Sequence, residues 1–180
     1  MTTYVALLHS IVLAPGRRVI MSELRDMASS LGYQNPRTLV STGNIVFDAP
    51  LSPIGDIEAR LEQAFRARFG KPVDILVREG EGWRRLARAN PFPNGDGSQV
   101  ILRVMRKPLD HSSLATLQAY AAPAQRLAVV DGDLWIDFAG KPSEWKLLSA
   151  LTTKRMGVGT LRNWNTVRGL AEMAAQGSGT

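Results

Sequence analysis

Apolar residues along the first half of the chain switch between the runs of a strand and the 3–4 spacing of a helix. Residues 3–8 form an almost continuous apolar stretch and read as a buried strand. After Pro15 and Gly16, Leu24, Met27, Ala28 and Leu31 recur at helical spacing, with Ser22 placed to cap that helix and Gly32 to end it. Residues 38–41 and 44–48 read as two strands joined by the hairpin signal Gly43-Asn44. Beyond Pro50 and Pro53, the stripe Ile54, Ile57, Leu61, Ala64 and Phe65 predicts a second helix that stops at Gly70, and residues 73–77 a further strand. The order βαββαβ is the split-βαβ or ferredoxin-like arrangement, an antiparallel sheet with two helices on one face.

A helix over 83–89 and the turn-rich run 90–97 lead into a second round of the same pattern. Residues 100–105 read as a strand, 110–120 as a helix with Leu114 and Leu117 inward, and 127–130 as a strand turning through Asp131-Gly132-Asp133 into 134–138. A helix over 143–151 precedes the terminal one. Gly43-Asn44-Ile45-Val46-Phe47-Asp48 and Gly132-Asp133-Leu134-Trp135-Ile136-Asp137 are alike and sit at the same place in each round, which implies an internal duplication. The expected fold is α+β, two ferredoxin-like halves over 1–95 and 96–180 packed as one compact unit. In the second half the last strand is expected to give way to the C-terminal helix. Residues 176–180 have no apolar anchor and are expected to be disordered.

The stretch 159–167 combines a helix start with a concentration of polar groups. Thr160 can act as N-cap to a helix whose inward stripe is Trp164, Val167, Leu170, Ala171 and Ala174, with Arg162, Asn165, Thr166 and Gly169 on the opposite face. First-turn amides, a guanidinium and neutral polar groups together suit an anion. The competing reading is that Arg162 and the asparagines Asn163 and Asn165 serve neighbouring backbone groups. Charge sharpens the first reading. The 22 Lys and Arg exceed the 16 Asp and Glu, and between 141 and 168 the cations Lys141, Lys146, Lys154, Arg155, Arg162 and Arg168 face the single acid Glu144. Arg84, Arg85 and Arg88, and Arg103, Arg106 and Lys107, read as solvated clusters.

Most familiar chemistry is excluded by composition and spacing. With no cysteine, disulfides, iron–sulfur clusters and thiolate zinc sites are ruled out, and a reducing cytoplasm is the expected setting. No run is apolar enough to span a bilayer, and the apolar start lacks the basic flank and cleavage pattern of a signal peptide. Gly140-Lys141 is followed by Pro142, so it is no phosphate loop, and Arg162 stands where a dinucleotide fingerprint needs its third glycine. No metal site and no cofactor are expected. Of two histidines, His9 ends the first strand and could act as a base, or simply pack at the sheet end, while His111 reads as surface. Ser41, Thr42 and Asn44 line the first hairpin turn and either face a ligand or satisfy the turn. Trp135 and Trp164 fall on core positions, whereas Trp145 is expected to be exposed.

Five segments together resemble the bacterial family catalogued as domain of unknown function 1697. They are Tyr4-Val5-Ala6-Leu7-Leu8, Met21-x-x-Leu24-Arg25, Ser41-Thr42-Gly43-Asn44-Ile45-Val46-Phe47, Ala89-Asn90-Pro91-Phe92 and Thr160-x-Arg162-Asn163-Trp164-Asn165-Thr166-Val167. The resemblance implies a small α+β protein of two ferredoxin-like halves and carries no established activity. Members usually follow the first strand with Arg-Gly-Ile-Asn-Val-Gly-Gly, where this chain has His9-Ser10-Ile11-Val12-Leu13-Ala14-Pro15. If that loop cradles an anion in relatives, part of the cradle is missing here.

The function expected from the sequence is a non-catalytic binding module for a phosphate-bearing ligand, a nucleic acid or nucleotide. Its candidate residues are Arg162, Asn163, Asn165, Thr166, Lys154, Arg155, Lys146, Ser41, Asn44 and His9, with no catalytic residue assigned. Two alternatives stand beside it: an enzyme acting on a small anionic substrate, with His9 as base and Arg162 and Asn163 orienting it, and a homodimer formed through a sheet edge. No membrane partner is expected.

Overall fold

The structure is a computed structural model that describes residues 1–176. It is an α+β protein with, among the described residues, three antiparallel sheets and seven α-helices. The chain divides into two compact units, one of Met1–Arg88 together with the chain from Arg168 onward, the other of Ala89–Val167. The first break thus falls at 88/89, where the sequence reading placed it at 95/96, and the second falls inside the last helix.

The first unit runs β1 (Thr2–Leu8), β2 (Val12–Ala14), β3 (Arg17–Arg18), α1 (Met21–Ser30), β4 (Gln34–Thr38), β5 (Asn44–Ala49), α2 (Ile54–Phe69), β6 (Ile75–Glu79) and α3 (Gly80–Arg88). Its main sheet has the order β4-β5-β1-β6, antiparallel throughout. Alternation sends Tyr4, Ala6 and Leu8 of β1, Ile45 and Phe47 of β5 and Ile75 and Val77 of β6 into one core with Leu24 and Met27 of α1 and Ile57, Leu61 and Phe65 of α2. Helix α2 ends as expected at Gly70, whose φ of +74° lets its amide reach Arg66 O.

Three expectations for this unit are corrected. Ile20, not Ser22, is the N-cap of α1, because the helix already starts at Met21. The loop after β1 contains the two-stranded ribbon β2–β3. The third is the hairpin: β4 lies at 34–38 rather than 38–41, leaving 39–43 as a five-residue connection. Pro36 reads as a strand breaker, but on an edge strand its missing donor is tolerated, and the register shift between Gln34 and Arg37 absorbs it.

The second unit holds β7 (Val100–Met105), α4 (His111–Gln118), β8 (Arg126–Val130), β9 (Asp133–Asp137), a 3₁₀ turn over Pro142–Glu144, α5 (Lys146–Ala150), α6 (Thr153–Met156), β10 (Gly159–Asn163) and the start of α7 (Trp164–Gln176). Its sheet order is β10-β7-β9-β8, again antiparallel. The last strand is therefore present: β10 pairs with β7 along its whole length, and α7 follows it instead of replacing it. The helix expected over 143–151 is broken at Trp145, whose extended backbone (φ −113°, ψ 140°) separates the 3₁₀ turn from α5. Asp131 and Gly132 form the two-residue turn between β8 and β9, both with positive φ (49° and 84°), as the hairpin signal required. Gln176 closes α7 rather than opening a tail, and the rest of the expected tail, 177–180, lies outside the described residues.

Candidate functional site

Strand pairing decides the fate of the polar run at the end of the second unit. Within β10, Leu161 faces Arg103 and Arg162 faces Leu102, so Arg162 sits on a strand and not on the first turn of a helix. Thr160, 2% exposed, lies in the same strand and cannot cap α7. Asn163 does so instead, its Oδ1 accepting from Thr166 N at 2.9 Å. Arg162 is 7% exposed and donates from one terminal nitrogen to Thr160 Oγ1 and Leu161 O, both at 2.8 Å. Burial pushes its pKa down to about 10, which leaves the guanidinium charged at neutral pH. Asn165 is exposed, and its amide donates to Gly97 O at 3.2 Å. Its side chain lies against Gly97, where any Cβ would collide with it. Arg162 thus serves its own strand and Asn163 the start of α7; Arg162 is withdrawn from the surface and Asn163 is half-buried.

The remaining cations of that region are presented outward. Lys141, Lys146, Lys154 and Arg155 are exposed, and among the described residues none of the three lysines pairs with an acid. Thr152 caps α6 by accepting from Arg155 N at 3.3 Å. The Arg155 guanidinium stands 5.0 Å from the centre of the Tyr120 ring and bonds the Tyr120 hydroxyl, holding an exposed aromatic beside exposed charge. Other clusters are spent locally. Glu81 pairs with Arg84 at 2.9 Å and Arg88 at 3.2 Å, Arg126 with Asp137 at 2.6 Å, and Arg103 is buried. Trp145, expected to be exposed, is half-buried against the second unit's core, with its indole nitrogen buried and unpaired.

A second constellation forms at one end of the first unit's sheet. Leu8 N donates to Gly43 O and His9 N to Asp74 O, each at 2.9 Å, which draws the end of β1, the 39–43 connection and the approach to β6 together. His9, Ser10, Lys71 and Asp74 line a cavity of about 200 Å³ there, and Lys71 donates to Val12 O at 3.0 Å. Ser41 and Thr42 are exposed. Asn44 is fully buried and donates to Leu39 O at 3.1 Å and Thr42 Oγ1 at 2.8 Å, so it shapes the turn. Val40, 56% exposed, has a φ of +49°, a conformation that a β-branched residue adopts only under strain. Sequence reasoning missed Lys71 and Asp74. The βαββαβ order itself was the signal, since it returns the chain to the end of the first strand just before the fourth. Of the candidates, His9, Ser41 and Asn44 share this end of the first unit, while Arg162, Asn163, Asn165, Thr166, Lys146, Lys154 and Arg155 belong to the second. No group of three or more His, Asp or Glu among the described residues could hold a metal ion.

Residues 1–135 match the model of the family described as "Protein of unknown function (DUF1697)". The chain belongs to this family. The match includes Met1–Arg88 of the first unit and the β8–β9 turn but ends before the Arg162-Asn163-Trp164 run, so the family assignment does not depend on that run. Among solved structures, the chain is similar to the conserved bacterial protein SP0830 from Streptococcus pneumoniae, at 22% identity and a TM-score of 0.75, covering 96% of this chain and 98% of that one. That likeness is one of fold. No curated protein matches the chain. No helix among the described residues is long and apolar enough to cross a membrane. Neither the family's description nor the neighbour's names a reaction.

Proposed function

We propose that this protein is a non-catalytic binding module for a phosphate-bearing ligand, a nucleic acid or nucleotide, built on two ferredoxin-like halves that arose by duplication. The same connectivity in the sheets β4-β5-β1-β6 and β10-β7-β9-β8 supports the duplication. One observation carries the binding reading: Lys141, Lys146, Lys154 and Arg155 are all exposed within fifteen residues that hold one acid, Glu144, and Arg155 is oriented by the exposed ring of Tyr120. Phosphates are held by such mobile surface cations, and bases stack on aromatics beside them. Arg162, being buried, supports the strand and not the ligand.

The test is binding of labelled single-stranded and duplex oligonucleotides, and of ATP, across a salt series. The triple variant Lys146→Ala, Lys154→Ala, Arg155→Ala should weaken polymer binding at low salt by at least about tenfold and flatten the salt slope by about two to three. Arg17→Ala with Arg18→Ala, on the first unit's ribbon, should leave it unchanged. Binding that survives the triple variant, or none to any of the three probes, would sink this reading. The cavity of His9, Ser10, Lys71 and Asp74 favours the second reading, an enzyme acting on a small anionic substrate, with Lys71 to hold the anion and His9 as base. It requires an activity abolished by His9→Gln and untouched by the triple variant.

A further inference from the structure

A separate cavity of about 270 Å³ opens in the first unit between the end of α1, the 50–53 connection and the first turns of α2. Its size is at the small end of ligand sites, which run from about 300 Å³ upward. Tyr33 forms part of its wall. The ring stacks on Phe47 with centroids 4.5 Å apart and planes at 8°, so the residue is fixed by the core and only 6% exposed. Its hydroxyl is buried without a hydrogen-bond partner among the protein atoms, an arrangement that native structures seldom leave unanswered. Burial also raises the phenol's pKa, so it stays a donor at neutral pH.

Both charges are available in the same cavity. Asp56 and Arg60 line it one helical turn apart on α2, the spacing at which such residues normally pair, yet no salt bridge joins them. Arg60 instead leans over the Tyr33 ring, 5.5 Å from its centre, and donates weakly to Leu31 O at 3.4 Å. Helix α2 begins at Ile54 behind Pro53, which supplies no side-chain cap; Pro53 O accepts from the Asp56 and Ile57 amides at 3.1 and 3.3 Å, and the Ile54 and Gly55 amides stay open at the start of the helix. A simple anion there would meet Asp56, and a simple cation would meet Arg60. A molecule carrying both charges satisfies both. Leu51, 75% exposed, adds an apolar rim.

We infer that the Tyr33–Asp56–Arg60 cavity is a binding site for a small zwitterion of the free α-amino acid class. Its carboxylate is received by Arg60 and the Ile54 and Gly55 amides and its ammonium by Asp56, with the Tyr33 ring as the wall behind them. The experiment follows the backbone amide NMR signals of 51–60 in the intact protein at about 10 mM L-leucine, enough to populate a site of millimolar Kd, and then with the other free L-amino acids. The two single-charge counterparts of leucine, 4-methylpentanoate and 3-methylbutylamine, are titrated in parallel. At least one amino acid should shift these signals, with its own single-charge counterparts binding at least about tenfold more weakly. Asp56→Asn and Arg60→Gln, both at exposed positions, should each weaken it by a similar factor, and Tyr33→Phe by less. The proposal is overturned if no amino acid shifts the signals, if a carboxylate alone binds as tightly and Asp56→Asn improves it, or if the charge variants bind like the parent.

Discussion

Ala6 on β1 and Arg103 on β7 hold matching places in the two sheets. Ala6 faces Ile45 and Arg103 faces Leu134, each one step beyond the buried polar residue that opens the partner strand, Asn44 in one unit and Asp133 in the other. What lies above them differs. The helices α1 and α2, ten and sixteen residues long, pack over the sheet that contains Ala6, and their own turns satisfy most of their backbone. In the second unit α5 and α6 are five and four residues long. Helices that short leave nearly every carbonyl without an internal partner. Arg103 reaches up from the sheet, 2% exposed, and donates to Leu151 O at 3.3 Å and Gly157 O at 3.0 Å, the residues that end α5 and α6. A cation at helix C-termini is favourably placed, and here it substitutes for the missing turns. Long helices allow a small apolar residue beneath them; short ones recruit a charge into the core.

The reciprocal exchange breaks this comparison most sharply. Ala6→Arg would put a guanidinium under α1 and α2 where the core is apolar, and should cost more than about 4 kcal/mol, seen as loss of soluble folded protein. Arg103→Ala removes a large buried side chain and orphans two carbonyls, a loss of about 3–5 kcal/mol in urea unfolding. Arg103→Met keeps most of the volume and should cost about 1–2 kcal/mol, the share belonging to the two hydrogen bonds. Amide exchange in 152–157 should quicken in both variants before the rest of the unit is affected. A methionine variant as stable as the parent would show that the carbonyl bonds contribute nothing.

Legibility followed the same divide. The first unit's helices carry long apolar stripes closed by Gly70 and Gly32, and they stand within a few residues of where the spacing put them. The strand 100–105 and the Asp131-Gly132 turn were equally plain, because alternation and a positive-φ pair are local signals. Strand β10 was not. Thr160, Leu161 and Arg162 become a strand only because the edge of β7 is there to pair with, and no periodicity in five residues announces that. The same blindness governed the site. Arg103 and Arg162 are counted in a sequence as surface charge, whereas the fold buries both, and Asn163, offered as a ligand group, is a helix cap. Tyr33 and Arg60 drew no notice, since a phenol without a partner is visible only once every neighbour is in place.

The two hairpins give a finer test of the comparison. At Gly43 the φ of +88° is compounded by crowding, because a Cβ there would lie 2.8 Å from Ile11 Cγ2 and 3.0 Å from Leu8 Cβ. Gly43→Ala should therefore destabilise by about 2–3 kcal/mol and loosen the end of the sheet that carries His9. The smallest effect separates the connections themselves. Val40 and Asp131 share a φ of +49°, but a β-branched side chain is strained there while aspartate tolerates it. Val40→Gly should stabilise the protein by about 0.5–1 kcal/mol, the relieved strain exceeding the extra entropy of the unfolded chain, whereas Asp131→Gly should change it by less than about 0.5 kcal/mol. Equal changes at the two positions would mean that the 39–43 connection stores nothing beyond an ordinary turn. Stabilisation at Val40 alone, if accompanied by weaker binding or activity at the His9 cavity, would mark that strain as a feature of the site and not of the hairpin.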